Sequence, residues 1–159
     1  MTATIHPGQP VPDFTAASTA GEFRLSQLRG SIVVLYFYPK DNTPGCTTES
    51  RDFAAMHDRF VAAGAHVVGI SRDSLRSHET FRERQELPFE LLADTDESVC
   101  NRFGVIKQKT LYGKPVRGIE RSTFLIDAEG VLRREWRGVK VPGHAEEVLR
   151  AVQDPAVGS

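Results

Sequence analysis

The feature that most constrains the fold of this chain is a continuous apolar run of seven residues, positions 32–38. Because the run does not alternate with polar residues, it is typical of a strand covered on both faces in the middle of a sheet. It leads into a loop broken by two prolines and a glycine, and then into a predicted helix. The apolar residues of that helix recur at helical spacing up to the stop at Gly64, and they are Phe53, Met56, Phe60 and Ala63. A second apolar run at 66–71 completes a strand, helix, strand unit, which predicts a parallel pair joined by a crossover.

The rest of the chain supplies short elements around this unit. We expect a hairpin between residues 14 and 25, a helical turn at 26–30, a helix from 74 to about 85, a strand at 89–92, a helix at 98–103, a hairpin joining 123–127 to 131–136, and a helix at 144–152. Residues 107–120 carry three lysines, one arginine and two glycines, and are expected to form a mobile surface loop. This order predicts an α/β fold with a mixed central sheet flanked by helices. It fits one domain over residues 1–159 whose tail frays from about residue 154.

Composition excludes several classes of function. With 20 Lys and Arg against 21 Asp and Glu among 159 residues, the net charge of −1 lacks the basic excess of a nucleic-acid-binding protein. Two cysteines do not make the disulfide framework of a small secreted protein, and the five histidines are scattered without metal-ligand spacing. No apolar run is long enough to span a bilayer, and the first eight residues lack the character of a signal peptide. We therefore expect a cytoplasmic protein with no metal, no other cofactor, and no membrane or nucleic-acid partner.

Cys46 is the strongest candidate for a functional residue. Thr43 suits the N-cap of a helix and Pro44 its first position, so that Cys46 falls at the third position. A thiol at a helix start lies among free backbone N–H groups at the positive end of the helix dipole, and both favour the reactive thiolate. Free cysteines are also among the most buried residue types and are usually inert. The spacing alone therefore leaves a reactive and a structural interpretation open.

Pro39, Thr43 and Cys46 form the pattern Pro-x-x-x-Thr-x-x-Cys, which resembles the active-site signature of the peroxiredoxins. The stretch Thr-Pro-Gly-Cys-Thr at 43–47 is similar to the bacterioferritin-comigratory branch of that family, also called PrxQ. The resemblance continues, in order, through Leu-Leu-Ala-Asp at 91–94, Phe-Gly-Val at 103–105 and Arg-Ser-Thr-Phe-Leu-Ile-Asp at 121–127. It implies a thioredoxin-like fold with an N-terminal hairpin extension, and the activity of a thiol-dependent peroxidase.

The resemblance also implies roles for the residues around Cys46. Cys46 is implied as the peroxidatic nucleophile, which attacks a peroxide oxygen and becomes a sulfenic acid. Arg121 is implied as the guanidinium that holds both thiolate and peroxide. Thr43 is expected to position the peroxide, cap the helix, or do both, and Pro39 to fix the loop and shield the site from water.

Glu49 and Gly45 complete the implied site as supporting residues. Glu49 lies one turn into the helix and has two interpretations. It either orients Arg121 or another arginine, or it is a favourable carboxylate near the helix start.

The partner that would resolve the sulfenic acid is not evident in the sequence. Many members of the branch carry a second cysteine five residues after the first, where this chain has Arg51, or in the next helix, where residues 74–86 contain none. Cys100 is the remaining candidate, although its surroundings favour an inward, structural side chain. We therefore predict a one-cysteine enzyme, a monomer or weak homodimer, that reduces hydrogen peroxide or alkyl hydroperoxides. An external thiol such as thioredoxin, glutaredoxin or glutathione would restore it.

Two other classes of function stay open at this point. A thiol-disulfide oxidoreductase would use the same fold, but the chain has no Cys-x-x-Cys motif. A redox sensor or chaperone-like binder would use the same oxidisable thiol without turnover.

Overall fold

The computed structural model describes residues 5–155 of the chain. The strands are β1 (Thr15–Ser18), β2 (Gly21–Arg24), β3 (Ile32–Phe37), β4 (Ala65–Ser71), β5 (Leu91–Ala93), β6 (Ile106–Leu111), β7 (Lys114–Ile119), β8 (Ser122–Ile126) and β9 (Leu132–Arg137). The α-helices are α1 (Pro44–Ala55), α2 (His57–Ala62), α3 (Leu75–Gln85), α4 (Ser98–Phe103) and α5 (His144–Val152). Most of the tail that is expected to fray from residue 154 lies outside the described residues.

Strand β3 lies at the centre of the main sheet. Over residues 5–155 this sheet has seven strands in the order β2-β1-β5-β4-β3-β8-β9. Strand β3 pairs in parallel with β4 and antiparallel with β8, and all six of its residues are buried. The hairpin β1–β2 extends the sheet at the edge of β5. The mixed sheet, the parallel pair and the N-terminal hairpin predicted from the sequence are therefore confirmed.

Helices cover both faces of this sheet. Side chains alternate between the two faces along a strand, so Val33 and Leu35 join one hydrophobic cluster while Val34 and Tyr36 join the other. The first cluster takes in buried residues of α4, and the second takes in those of α1, α2, α3 and α5. Within the described part of the chain, none of the helices combines the length and apolar character needed to cross a membrane.

Residues 107–120 form two strands, so the prediction of a loop for this surface segment is wrong. Strands β6 and β7 pair antiparallel in a separate two-stranded sheet. Tyr112 (φ 53°) and Gly113 (φ 77°) join them with left-handed backbone at both positions, as in a type I′ hairpin turn. The first four residues of β7 are exposed. Apart from its two ends at Ile106 and Ile119, the described side chains of this hairpin are mostly exposed, so the segment shows no regular alternation of apolar and polar residues by which a strand could be recognised.

The bounds of one helix and of one strand also differ from the prediction. The single helix expected from Pro44 to the stop at Gly64 is broken at Met56 (φ −103°, ψ 5°), whose N–H donates to the carbonyl of Phe53. No proline or glycine marks this break, so helical spacing alone predicted one helix. The rings of Phe53 and Phe60 still pack with centroids 5.8 Å apart. The strand expected at 89–92 begins at Leu91, where pairing with β4 starts.

Candidate active site

Cys46 is the third residue of α1, directly after the loop that leaves β3. Pro44 occupies the first helical position, and Thr43 occupies the N-cap position with extended backbone (φ −84°, ψ 151°). This local geometry is as the sequence predicts. The cysteine is 1% exposed, and it lies in the first turn of the helix, where the backbone N–H groups have no partner within the helix.

Arg121 approaches Cys46 from the neighbouring strand. It immediately precedes β8, and the antiparallel pairing of Phe37 with Ser122 brings it to the end of β3. Its Nη2 donates to Cys46 Sγ at 3.4 Å, and its Nη1 donates to Glu49 Oε1 at 2.6 Å. One planar cation therefore contacts both the sulfur and a carboxyl group.

Gly45 leaves the space that this guanidinium occupies. A Cβ atom built on Gly45 would lie 3.2 Å from Arg121 Nη2, which is closer than an ordinary contact. A side chain at position 45 would thus press the guanidinium away from the start of α1.

Glu49 is buried on the face of α1 that carries Cys46. Residues three apart on a helix are neighbours, and Glu49 is only 1% exposed. Burial raises the pKa of its carboxyl group to about 7, against the opposing attraction of Arg121. The first turn of α1 contains no acidic residue, so of the two interpretations of Glu49 the geometry fits the contact with Arg121.

The side chain of Thr43 does not cap α1. Its hydroxyl donates to the carbonyl of Lys40 at 2.8 Å, and no side-chain bond caps the helix. The N-cap position is correct, but the expected capping bond is wrong because the nearby carbonyl takes the hydroxyl proton. The oxygen of Thr43 keeps its capacity to accept a hydrogen bond. Pro39 is exposed where the chain leaves β3.

Cys100 lies in α4 and is fully buried, in the hydrophobic cluster on the other face of the sheet from Cys46. Its backbone N–H donates to Asp94 Oδ2 at 2.7 Å. Burial strongly raises the pKa of its thiol, and the neighbouring Asp94 adds to this effect. Burial and the raised pKa both disfavour the thiolate form of Cys100 in this conformation.

The sequence alone does not predict a largely buried polar cluster beneath the cysteine loop, formed by Asp41, Asp73 and His78. His78 is one of the five histidines without metal-ligand spacing, yet its Nδ1 lies 2.8 Å from Asp41 Oδ2. Ligand atoms of Asp41, Asp73 and His78 lie within 4.8 Å of one another, close enough for a metal site, yet these groups are hydrogen-bonded among themselves and their neighbours. The one hint of this cluster in the sequence is the position of Asp41 in the loop that leads to Cys46. Nothing in the sequence linked it to a histidine 37 positions away.

Comparison with known proteins agrees with this fold. Residues 7–135 match the model of the AhpC/TSA family. The putative peroxiredoxin bcp of Coxiella burnetii is 48% identical over 147 residues, which cover 92% of this chain and 97% of that protein. The peroxiredoxin Bcp of Bacillus subtilis is 48% identical over 152 residues, which cover 95% of this chain and 97% of that protein. The structure of the Xanthomonas campestris bacterioferritin comigratory protein superposes with a TM-score of 0.88 at 46% identity, covering 93% of this chain and 98% of that one.

The chain therefore belongs to the AhpC/TSA family, with the thioredoxin-like fold of a peroxiredoxin. Within that family it is of the Bcp, or peroxiredoxin Q, type. The resemblance drawn from Pro39, Thr43 and Cys46 is confirmed at both levels.

Proposed function

We propose that this chain reduces peroxides at the expense of thiols, with Cys46 as the nucleophile that attacks the O–O bond. The observation that carries this proposal is the double contact of Arg121 with Cys46 Sγ and Glu49 at the start of α1. A thiolate is stabilised by a nearby cation and by hydrogen-bond donors, and the departing oxygen needs donors for its developing charge. The helix start and the guanidinium supply both.

The reaction begins when the Cys46 thiolate attacks the terminal oxygen of the peroxide. An S–O bond forms and the O–O bond breaks, so the sulfur is oxidised to a sulfenic acid and the peroxide is reduced to water or an alcohol. Arg121 stabilises first the thiolate and then the departing oxygen. Thr43 positions the peroxide through its hydroxyl, and Pro39 fixes the backbone at the start of the loop.

An external thiol completes the cycle in this proposal. It attacks the sulfenic sulfur, water leaves, and a second thiol reduces the resulting mixed disulfide. The placement of Cys100 on the opposite face of the sheet supports an external rather than an internal partner. Thioredoxin, glutaredoxin and glutathione each have the required chemistry.

The substrates we infer are hydrogen peroxide and alkyl hydroperoxides. The Xanthomonas campestris relative is described for its alkyl peroxide reduction activity, which supports the second class. Membership in the peroxiredoxins favours this activity over thiol-disulfide exchange and over a sensor or chaperone-like role. We further infer one domain over residues 1–159, a monomer or weak homodimer, and a compartment rich in reducing thiols such as the cytoplasm.

The substitution Cys46→Ser tests the proposal. It is expected to abolish thiol-supported peroxide consumption, because a serine hydroxyl is not ionised at neutral pH. Cys100→Ser removes the other thiol and is the matched control, expected to retain turnover. Peroxide consumption is measured with each of the three reductants in turn. Substantial turnover by purified Cys46→Ser would disprove the role of Cys46.

A further inference from the structure

The second carboxyl oxygen of Glu49 has no hydrogen-bond partner. Glu49 Oε1 accepts from Arg121 at 2.6 Å, whereas Oε2 is buried and unpaired among the described residues. A buried carboxylate oxygen without a donor is costly, because it loses its hydration and gains nothing in return. A protonated carboxyl group is neutral and avoids most of that cost.

The charges around Arg121 also favour a state in which Cys46 and Glu49 together carry one proton. Arg121 contacts Cys46 Sγ and Glu49, so a thiolate together with a carboxylate would place two anions on one cation. Among residues 5–155, the other titratable groups that act on Arg121 and Glu49 supply no second cation. Asp52 on α1 adds negative charge, Tyr36 on β3 is a neutral phenol whose pKa burial raises, and burial lowers the pKa of His144 on α5 to about 4.

Building on the peroxidase function proposed above, we propose that Cys46 and Glu49 hold a single proton between them across Arg121. While Cys46 is a thiolate the proton resides on Glu49, and the carboxyl group donates it to the oxygen that leaves the peroxide. Glu49 is thus the general acid of the reaction, a role beyond holding Arg121 in place.

The step balances without any further reactant. The thiolate takes the terminal OH of the peroxide to give Cys–S–OH, and the O–O bonding pair leaves as hydroxide or alkoxide. Glu49 protonates that oxygen, which yields water or an alcohol, and becomes a carboxylate paired with Arg121. When the external thiol regenerates Cys46, the proton returns to the pair. Burial raises the pKa of Glu49 to about 7, which suits an acid that cycles near neutral pH.

The substitution Glu49→Gln tests the proton donor while keeping an oxygen that accepts from Arg121. The probes are hydrogen peroxide, whose leaving hydroxide is a strong base that must take up a proton, and peracetic acid, whose leaving acetate is a weak base that is stable without one. At about pH 6 the variant should lose on the order of 10²-fold in rate with hydrogen peroxide and far less with peracetic acid. The thiolate fraction of Cys46 should rise, because a competing anion is gone. Glu79→Gln, at an exposed position on α3, controls for the loss of one carboxylate.

Equal loss of rate with both oxidants would overturn the proposal and leave Glu49 as a positioning residue for Arg121. If the wild-type protein consumes neither oxidant, the proposed peroxidase function fails instead. A second measurement does not depend on the folding of Glu49→Gln. Carboxyl ¹³C NMR of Glu-labelled protein should show Glu49 titrating at a lower pH in Cys46→Ser than in the reduced wild type, because the serine carries no charge. The same titration in both proteins would also overturn the shared proton.

Discussion

At the scale of single residues, the guanidinium of Arg121 is divided between two acidic side chains on one helix. The contact with Glu49 Oε1 at 2.6 Å is short, as charge-assisted hydrogen bonds are, while Cys46 Sγ lies 3.4 Å from the other terminal nitrogen. A planar fork can serve both partners at once, whereas an ammonium group is a single point of charge. The geometry of Arg121, and not only its charge, therefore suits this site.

Arg121→Ala is expected to slow the reaction with hydrogen peroxide by about 10²–10³-fold, the usual cost of losing a donor at a developing oxyanion. It should also lower the thiolate fraction of Cys46 at neutral pH, because the neighbouring cation is gone. Arg121→Lys is the matched control, and it should recover the thiolate more fully than the rate. Thiolate ultraviolet absorbance and stopped-flow kinetics measure the two effects. If both are unchanged in Arg121→Ala, Arg121 serves another purpose.

At the scale of elements, the loop between β3 and α1 is held by a buried acid. Asp41 Oδ1 accepts from the hydroxyl of Tyr38 at 2.7 Å, and Oδ2 accepts from Ser77 Oγ at 2.8 Å. Asp41 Oδ2 also lies 2.8 Å from His78 Nδ1, and the opposite ring nitrogen lies 2.8 Å from the carbonyl of Leu92. These bonds tie the loop to α3 and thereby fix the start of α1, where Cys46 lies.

We expect Asp41→Ala to lower the free energy of unfolding by about 3–5 kcal/mol, since it leaves several buried polar groups without their partner. Asp41→Asn should cost less, because its amide can still hydrogen-bond to Tyr38, Ser77 and His78. The exposed Asp58→Ala is the control and should change stability by only about 0.5 kcal/mol. Urea unfolding followed by circular dichroism gives the three values. A cost for Asp41→Ala no larger than that for Asp58→Ala would contradict the importance of this cluster.

At the scale of the whole molecule, the central sheet separates the two cysteines. Both are free and buried, Cys46 in the cluster of α1, α2, α3 and α5 and Cys100 in that of α4. A disulfide requires the two sulfurs to approach to about 2 Å, which the folded sheet prevents unless an element unfolds locally.

A stoichiometric pulse of hydrogen peroxide should therefore leave Cys46 as a sulfenic acid that persists until an external thiol arrives. Mass spectrometry under non-reducing conditions, with a sulfenic-acid trap, should detect the trapped adduct at Cys46 and no disulfide within the chain. The Cys100→Ser protein should behave in the same way. A prevailing link between Cys46 and Cys100, together with loss of thioredoxin-supported turnover in Cys100→Ser, would make this a two-cysteine enzyme.

Much of the fold could be predicted from sequence because its signals are local. The continuous apolar run predicted β3, and the Thr-Pro pair at 43–44 predicted the start of α1. The bounds of α4 and α5 match the predicted spans 98–103 and 144–152. Each of these signals depends on spacing, burial or terminal residues within about 15 positions. The hairpin β6–β7 lacked such a signal, because most of its described side chains are exposed and show no regular alternation of apolar and polar residues.

The candidate site likewise contains residues that local sequence signals predict and residues that they do not. The sequence by itself determined that Cys46 stands at a helix start, since Thr43 and Pro44 adjoin it in the chain. Arg121 was indicated only through family resemblance, and the link between Asp41 and His78 was not foreseen. Tertiary structure decided these contacts, because the pairing of β3 with β8 and the packing of α3 join side chains 75 and 37 positions apart. Such contacts follow from how strands and helices assemble, which no short stretch of sequence specifies.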